Sequence, residues 1–210
     1  MSRLAGVVLL GLLACSGPTA APVPRERTVL CLGDSITSGQ AVERPYPDTL
    51  KNLLGHSWRV INAGVWGETS TQIRDRWSSS LVGWQIGVVV LLAGTNDLQA
   101  QNRTAEEIAL NLQAIYDEAL SEGMRVVPVT VLPFRGWRAW TSSIELQRTK
   151  LNAWILEYCS LTGVECVDAA SQMDDGTGAL RPEFDGGDHL HPSQAGTDRL
   201  AELVRSAFPD

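Results

Sequence analysis

The sequence predicts an α/β fold, a three-layer α/β/α sandwich around a five-stranded parallel sheet. Two observations carry this expectation. Five short apolar runs alternate along the chain with helical patterns. The runs also lack the in–out alternation of a half-exposed strand, as expected when helices cover both faces of a parallel sheet. At 210 residues, 44% hydrophobic and 20% charged, the chain has room for one sizeable core. Crossovers in such a sheet are right-handed.

The strands are expected at Thr28–Leu32, Trp58–Asn62, Ile86–Leu92, Arg125–Val129 and Val164–Asp168. Helical spacing predicts helices near Pro47–Leu54, Thr71–Leu81, Ala105–Glu122, Ser143–Leu161 and Gln194–Phe208. Thr104 with Glu107, and Ser142 with Glu145, match the capping box, which gives two of these helices a mechanism for starting. Leu151, Trp154, Ile155 and Tyr158 form a core-facing stripe. Gly123 and Gly163 stand where helices should stop. The sequence shows no internal repeat and no long low-complexity segment.

The N-terminus is a different kind of sequence. Arg3 precedes an apolar run from Leu4 to Ala14, shorter than the roughly 20 residues a bilayer span needs. Residues 1–14 read as a secretory signal, residues 15–27 as a tether, and 28–210 as the folded domain. Leu12-Leu13-Ala14-Cys15 is similar to the bacterial lipobox, in which the chain is cut before the cysteine and the cysteine is lipidated. That resemblance implies an exported lipoprotein of the cell envelope, on its periplasmic or outer-membrane face, held to a membrane through Cys15. The alternative is plain secretion with cleavage nearby, for instance after Ser16. Of the remaining cysteines, Cys31 lies within the first strand as a small buried apolar residue. Cys159 and Cys166 flank a helix-to-strand turn and can pair in an oxidising compartment if their Cβ directions allow it.

The net charge of −7 favours solubility and leaves no basic footprint for nucleic acid. In open parallel sheets the ligand crevice lies beyond the carboxyl ends of the strands. Four polar segments fall there: Gly33-Asp34-Ser35, Asn62 to Thr69, Gly94-Thr95-Asn96-Asp97 and Asp188-His189-Leu190-His191-Pro192. Each alone reads as a turn. Together they supply the parts of acyl transfer to a serine. A hydroxyl needs a base to remove its proton, and the base needs an orienting carboxylate. The oxyanion that develops needs waiting donors. Ser35 offers the hydroxyl, and Asp188 and His191 pair if their loop turns. Gly67 allows close backbone approach, and the Asn96 amide is a side-chain donor.

These four segments resemble the signature blocks of the GDSL, or SGNH, hydrolase family. The resemblance spans the chain from about Thr28 to its end and implies a flavodoxin-like fold. It implies Ser35 as nucleophile, His191 as base and Asp188 as orienting acid. The backbone N–H groups of Ser35 and Gly67 and the Asn96 amide would form the oxyanion hole. The implied activity is hydrolysis of carboxylic esters through an acyl-enzyme, on esterase, lysophospholipase or thioesterase substrates, with carbohydrate O-acetyl esters as the alternative. A catalytically silent binding module is the remaining class. Other motifs are absent: Thr37 stands where G-x-S-x-G needs its second glycine, and neither a P-loop nor G-x-G-x-x-G occurs. Asp188, His189 and His191 could ligate a metal, but no further His or Cys cluster completes a set; no cofactor is expected. His189 should point away from His191, and His56 should sit at the surface.

The segment Leu132 to Trp140 leaves the same sheet edge with three aromatics and two arginines. Phe134, Trp137 and Trp140, with Trp66 beside Gly67, are the candidate walls of a substrate pocket. The alternative is that these rings pack on the neighbouring helix. Lipid and acetylated-glycan substrates both suit such walls.

Overall fold

The computed structural model describes residues 24–40, 42–100 and 103–209. The expected signal peptide, Cys15 and most of the tether lie outside the described residues. Four parallel strands form one sheet: β1 (Thr28–Gly33), β2 (Arg59–Gly64), β3 (Val88–Leu92) and β4 (Arg125–Pro128), in the order β2-β1-β3-β4. Val29 of β1 pairs with Val60 on one side and Val88 on the other, and Val88 pairs with Arg125 of β4. β1 and β3 are wholly buried runs, as their unbroken apolar sequences require.

Nine helices complete the described fold: α1 (Ser35–Ser38), α2 (Tyr46–Leu54), α3 (Ser70–Asp75), α4 (Trp77–Ser80), α5 (Thr95–Ala100), α6 (Ala105–Ser121), α7 (Ser142–Thr162), α8 (Ala169–Met173) and α9 (Gln194–Arg205). Alternate strand residues feed two hydrophobic clusters. Leu30, Leu32, Val89 and Leu91 pack with Ile108, Leu112 and Leu151 from α6 and α7. Val29, Cys31, Val88 and Val90 pack with Leu50, Leu200 and Val204 from α2 and α9. The period of two along each strand therefore divides the core between the two faces. Cys31 is fully buried in the second cluster, and burial pushes its thiol up to about 12.

Several expectations are corrected. The fifth strand is reduced to a single parallel bridge between Val129 and Val167. Val167 donates to the Pro128 carbonyl at 2.9 Å, and Thr130 donates to the Val167 carbonyl at 3.1 Å. Pairing stops there because Cys166 is joined to Cys159 of α7, with Cα atoms 6.0 Å apart. On the other side, Asp168 turns to cap α8. The helix expected over Thr71–Leu81 breaks at Arg76, whose φ and ψ of −95° and 9° leave the helical region. The long helix α7 is capped by Thr141, which accepts from the Ile144 N–H, not by Ser142. Glu145, expected to close that box, instead binds Arg148. The box at Thr104 and Glu107 forms as expected. Arg25 to Arg27, expected to end the tether, form a 3-10 turn docked on the sheet, with Arg25 Nε donating to the Ile86 carbonyl at 2.8 Å.

Candidate active site

All four polar segments meet at the carboxyl edge of the sheet. β1 ends at Gly33, where a side chain would collide with Thr37 Oγ1 and the Leu92 carbonyl, so only glycine lets the chain turn this tightly. Asp34 then caps α1, its Oδ1 accepting the Ile36 N–H at 2.9 Å. This places Ser35 in the first turn of α1. Its Oγ lies 2.9 Å from His191 Nε2. His191 Nδ1 lies 2.7 Å from Asp188 Oδ2. A carboxylate can only accept, so Nδ1 carries the proton and Nε2 is left to accept from the serine hydroxyl.

The Asp188–His191 pairing depends on a closed loop. Asp188 Oδ1 accepts the backbone N–H groups of Leu190 at 2.9 Å and His191 at 2.8 Å. The Gly186 N–H donates to the His191 carbonyl at 2.8 Å, which pins the loop ends before Ser193 caps α9. Partial burial works against ionisation of Asp188. The hydrogen bonds from the His191 ring and backbone and from Leu190 outweigh it and hold the carboxyl below its ordinary range.

Gly67 sits in the loop after β2 with φ of 75°, a left-handed conformation that favours glycine. Asn96 lies in the first turn of α5, and its Nδ2 donates to the Glu68 carbonyl at 2.9 Å and to Asp34 Oδ2 at 3.3 Å. Asp34 has no exposure, and burial pushes its carboxyl up to about 7 against the opposing pull of the Ile36 N–H and His191.

Three supports have no counterpart in the sequence reading. Arg76, at the break between α3 and α4, donates to the Gly33 carbonyl at 3.2 Å and the Ala63 carbonyl at 2.8 Å, and pairs with Glu68. One guanidinium thus ties the ends of β1 and β2 to the Gly67 loop. Asp97 accepts both the Ser70 N–H at 2.7 Å and its hydroxyl at 2.6 Å, which locks the Asn96 turn to the start of α3. Asn111 of α6 extends that link to Ser70 and Thr71. Asp185, three residues before Asp188, holds His189 in a second carboxylate–imidazole pair.

An open cleft of about 690 Å³ lies over Ser35 and His191, lined also by Trp66, Gly67, Asn96 and Trp137. Trp66 is 68% exposed there. Phe134 does not line it. At 1% exposure Phe134 belongs to the core cluster under α7, because the segment from Val131 to Phe134 runs inward before the chain turns out at Arg135. Trp140 is also absent from the cleft wall; it packs on that cluster beneath the Arg135 guanidinium, with Nε1 directed at Glu145. His189 also lines the cleft, its half-exposed ring paired with Asp185, and His56 is exposed. The two histidine rings of this loop are each engaged by their own carboxylate.

The GDSL-like Lipase/Acylhydrolase family matches residues 31–199, well over half of the chain. A GDSL-like lipase from Bacteroides thetaiotaomicron is similar at 27% identity and a TM-score of 0.74, over 90% of this chain and 91% of that one. The lipase/acylhydrolase from Enterococcus faecalis is similar at 25% identity and a TM-score of 0.71, over 86% and 94%. A catalytic mutant of an acetylxylan esterase from Geobacillus stearothermophilus shares the fold at 20% identity and a TM-score of 0.71, over 86% and 93%. No curated protein sequence matches the chain.

Proposed function

Because the chain belongs to the GDSL-like lipase/acylhydrolase family, we propose that it is a serine esterase that works through an acyl-enzyme on Ser35. The observation that carries this reading is the continuous relay from Ser35 Oγ to His191 Nε2 at 2.9 Å, and from His191 Nδ1 to Asp188 at 2.7 Å. As Ser35 Oγ attacks the ester carbonyl, His191 takes its proton, and Asp188 holds the ring and offsets the imidazolium charge. The carbonyl oxygen, now an oxyanion, is met by the Ser35 and Gly67 N–H groups and the Asn96 amide. Both amide hydrogens of Asn96 are engaged at rest, so the longer bond, to Asp34, is the one that yields. His191 then returns the proton to the leaving alcohol. A water, activated by the same imidazole, releases the acid and restores Ser35.

The substrate class on this reading is a small ester, a lipid ester or an acetylated glycan. The layered frame with helices on both faces serves only to present the four loops at one edge. The N-terminal pattern supports export, with lipid on Cys15 or free secretion as the two forms of the mature chain; intact mass of the exported protein separates them. The test of the esterase reading is covalent. An organophosphonate should label the protein once, at Ser35, and Ser35→Ala should lose turnover by orders of magnitude. Labelling at another serine, or retained activity in the variant, refutes it.

A further inference from the structure

Two residues before His191, the same loop carries a histidine that the proposed chemistry does not use. Asp185 holds His189 twice: Oδ2 lies 2.6 Å from ring Nδ1, and Oδ1 accepts the His189 backbone N–H at 3.0 Å. Oδ1 also accepts the Gly187 N–H at 2.8 Å. With φ of 62°, His189 is the only non-glycine residue among those described in the left-handed region. Such a conformation costs free energy in any residue with a Cβ and persists only where the surroundings impose it. The ring rests on Gly136, where an added Cβ would come within 3.1 Å of His189 Cγ. The side chain is 54% exposed, and the ring forms part of the wall of the cleft over Ser35, beside Trp137 and Arg138.

The Asp185 contact fixes what the ring offers. A carboxylate takes Nδ1 as a donor, so the neutral imidazole keeps its lone pair on Nε2 and remains an acceptor. His189 lines the same cleft as Ser35 and His191. His191 returns its proton to the leaving alcohol, so the loop carrying His191 borders the alcohol half of the ester. The oxyanion donors come from other loops. An acceptor on that side meets a donor on the leaving group, and a hydroxyl is the neutral group of an alcohol that supplies one. Trp137 lines the same cleft and adds apolar ring surface for the carbon skeleton of a sugar or glycerol.

Resting on the serine-esterase reading, we propose that His189, oriented by Asp185, is a specificity-determining residue that accepts a hydrogen bond from a hydroxyl on the alcohol portion of the ester. The preferred substrates are then esters of polyols.

The test compares kcat/KM for matched pairs: an acetylated methyl xyloside against cyclohexyl acetate, and monoacetylglycerol against propyl acetate. Wild type should prefer the hydroxylated member. His189→Asn keeps a residue that tolerates the left-handed backbone but withdraws the ring. It should reduce that preference about three- to tenfold, the worth of one neutral hydrogen bond. The pair that shows the drop identifies the sugar or the glycerol as the source of the hydroxyl. Asp185→Asn keeps the ring without dictating its tautomer and should lower the same preference, which gives a second reading if His189→Asn folds poorly. A preference unmoved in the folded variants overturns the assignment, as does an equal loss on the hydroxyl-free esters. Phosphonate labelling of Ser35 and wild-type ester turnover are scored apart. Their failure sinks the esterase reading, whereas their success with an unmoved preference sinks only the role of His189.

Discussion

The Asp34 carboxyl is buried beneath the serine loop without exposure, and this burial has a measurable consequence for stability. Its value in the folded chain is about 7, against an ordinary value near 3.9 in an unfolded one. The folded protein therefore holds this proton more tightly, and its stability falls as pH rises from about 4 through 7. Three units at about 1.4 kcal/mol each come to about 4 kcal/mol in full, part of which is already incurred at pH 5. Between pH 5 and 8.5 the ionised carboxylate should cost about 2–3 kcal/mol. Asp34→Asn removes the titration while keeping an oxygen for the Ile36 N–H. Its amide would face Asn96 Nδ2, a penalty that does not change with pH. The assay is the melting temperature of both proteins at pH 5 and 8.5, read as a difference of differences, so that penalty and the titrating groups that do not interact with Asp34 cancel. At about 2–4 °C per kcal/mol for a chain of this size, the variant should gain about 5–10 °C on wild type as pH rises. A difference that stays flat, or that moves toward wild type, refutes the claim that Asp34 carries a proton in the folded state near neutrality.

Two further predictions address the supports of the site. On the proposed mechanism Asn96→Ala should lower kcat by about 10² to 10³ with little change in KM, because there its amide meets the oxyanion only in the transition state; a parallel loss of melting temperature would mark a structural role instead. Arg76→Gln strips the guanidinium from two strand-end carbonyls and leaves the half-buried Glu68 without its cation. It should cost about 1–3 kcal/mol of stability in denaturant titration, and a loss below about 0.5 kcal/mol would show that the clamp is dispensable.

How legible these features are from sequence follows from what each one requires. β1 and β3 are legible because burial on both faces forces unbroken apolar runs. The fifth run has the same composition in outline, but Glu165 is exposed, Cys166 is tied to α7 and Asp168 is committed to capping α8. A disulfide across seven residues and a cap on the next helix do not show in composition, and the run pairs at Val167 alone. The start of α7 shifts by one residue because Thr141 and Ser142 are equally able to cap, and only the approach of the chain decides between them. Aromatics in a loop carry no periodicity, which is why Phe134 and Trp140 could not be told from Trp137 before their burial was known.

The site divides the same way. Residues to which the proposed chemistry gives a task have types that task dictates and stand after a strand or just before α9, so Ser35, Asn96, Asp188 and His191 are visible as a set. Arg76, Asp97 and Asp185 have no such mark, since each is defined by the groups it holds. Their charges are also balanced by different means. Arg76 faces a carboxylate and two carbonyls, so its charge and its hydrogens are satisfied together. Asp97 and Asp34 are held chiefly by N–H and O–H donors, and burial raises both above the ordinary range. Asp188 lies nearer solvent and receives three hydrogen bonds from its own loop, and its carboxyl is lowered instead. The carboxylate that the proposed mechanism sets beside an imidazolium is thus the one the fold leaves partly solvated. The two that serve only to position neighbours are the ones it buries. That separation follows from depth beneath the sheet edge, a coordinate that spacing along the chain does not contain.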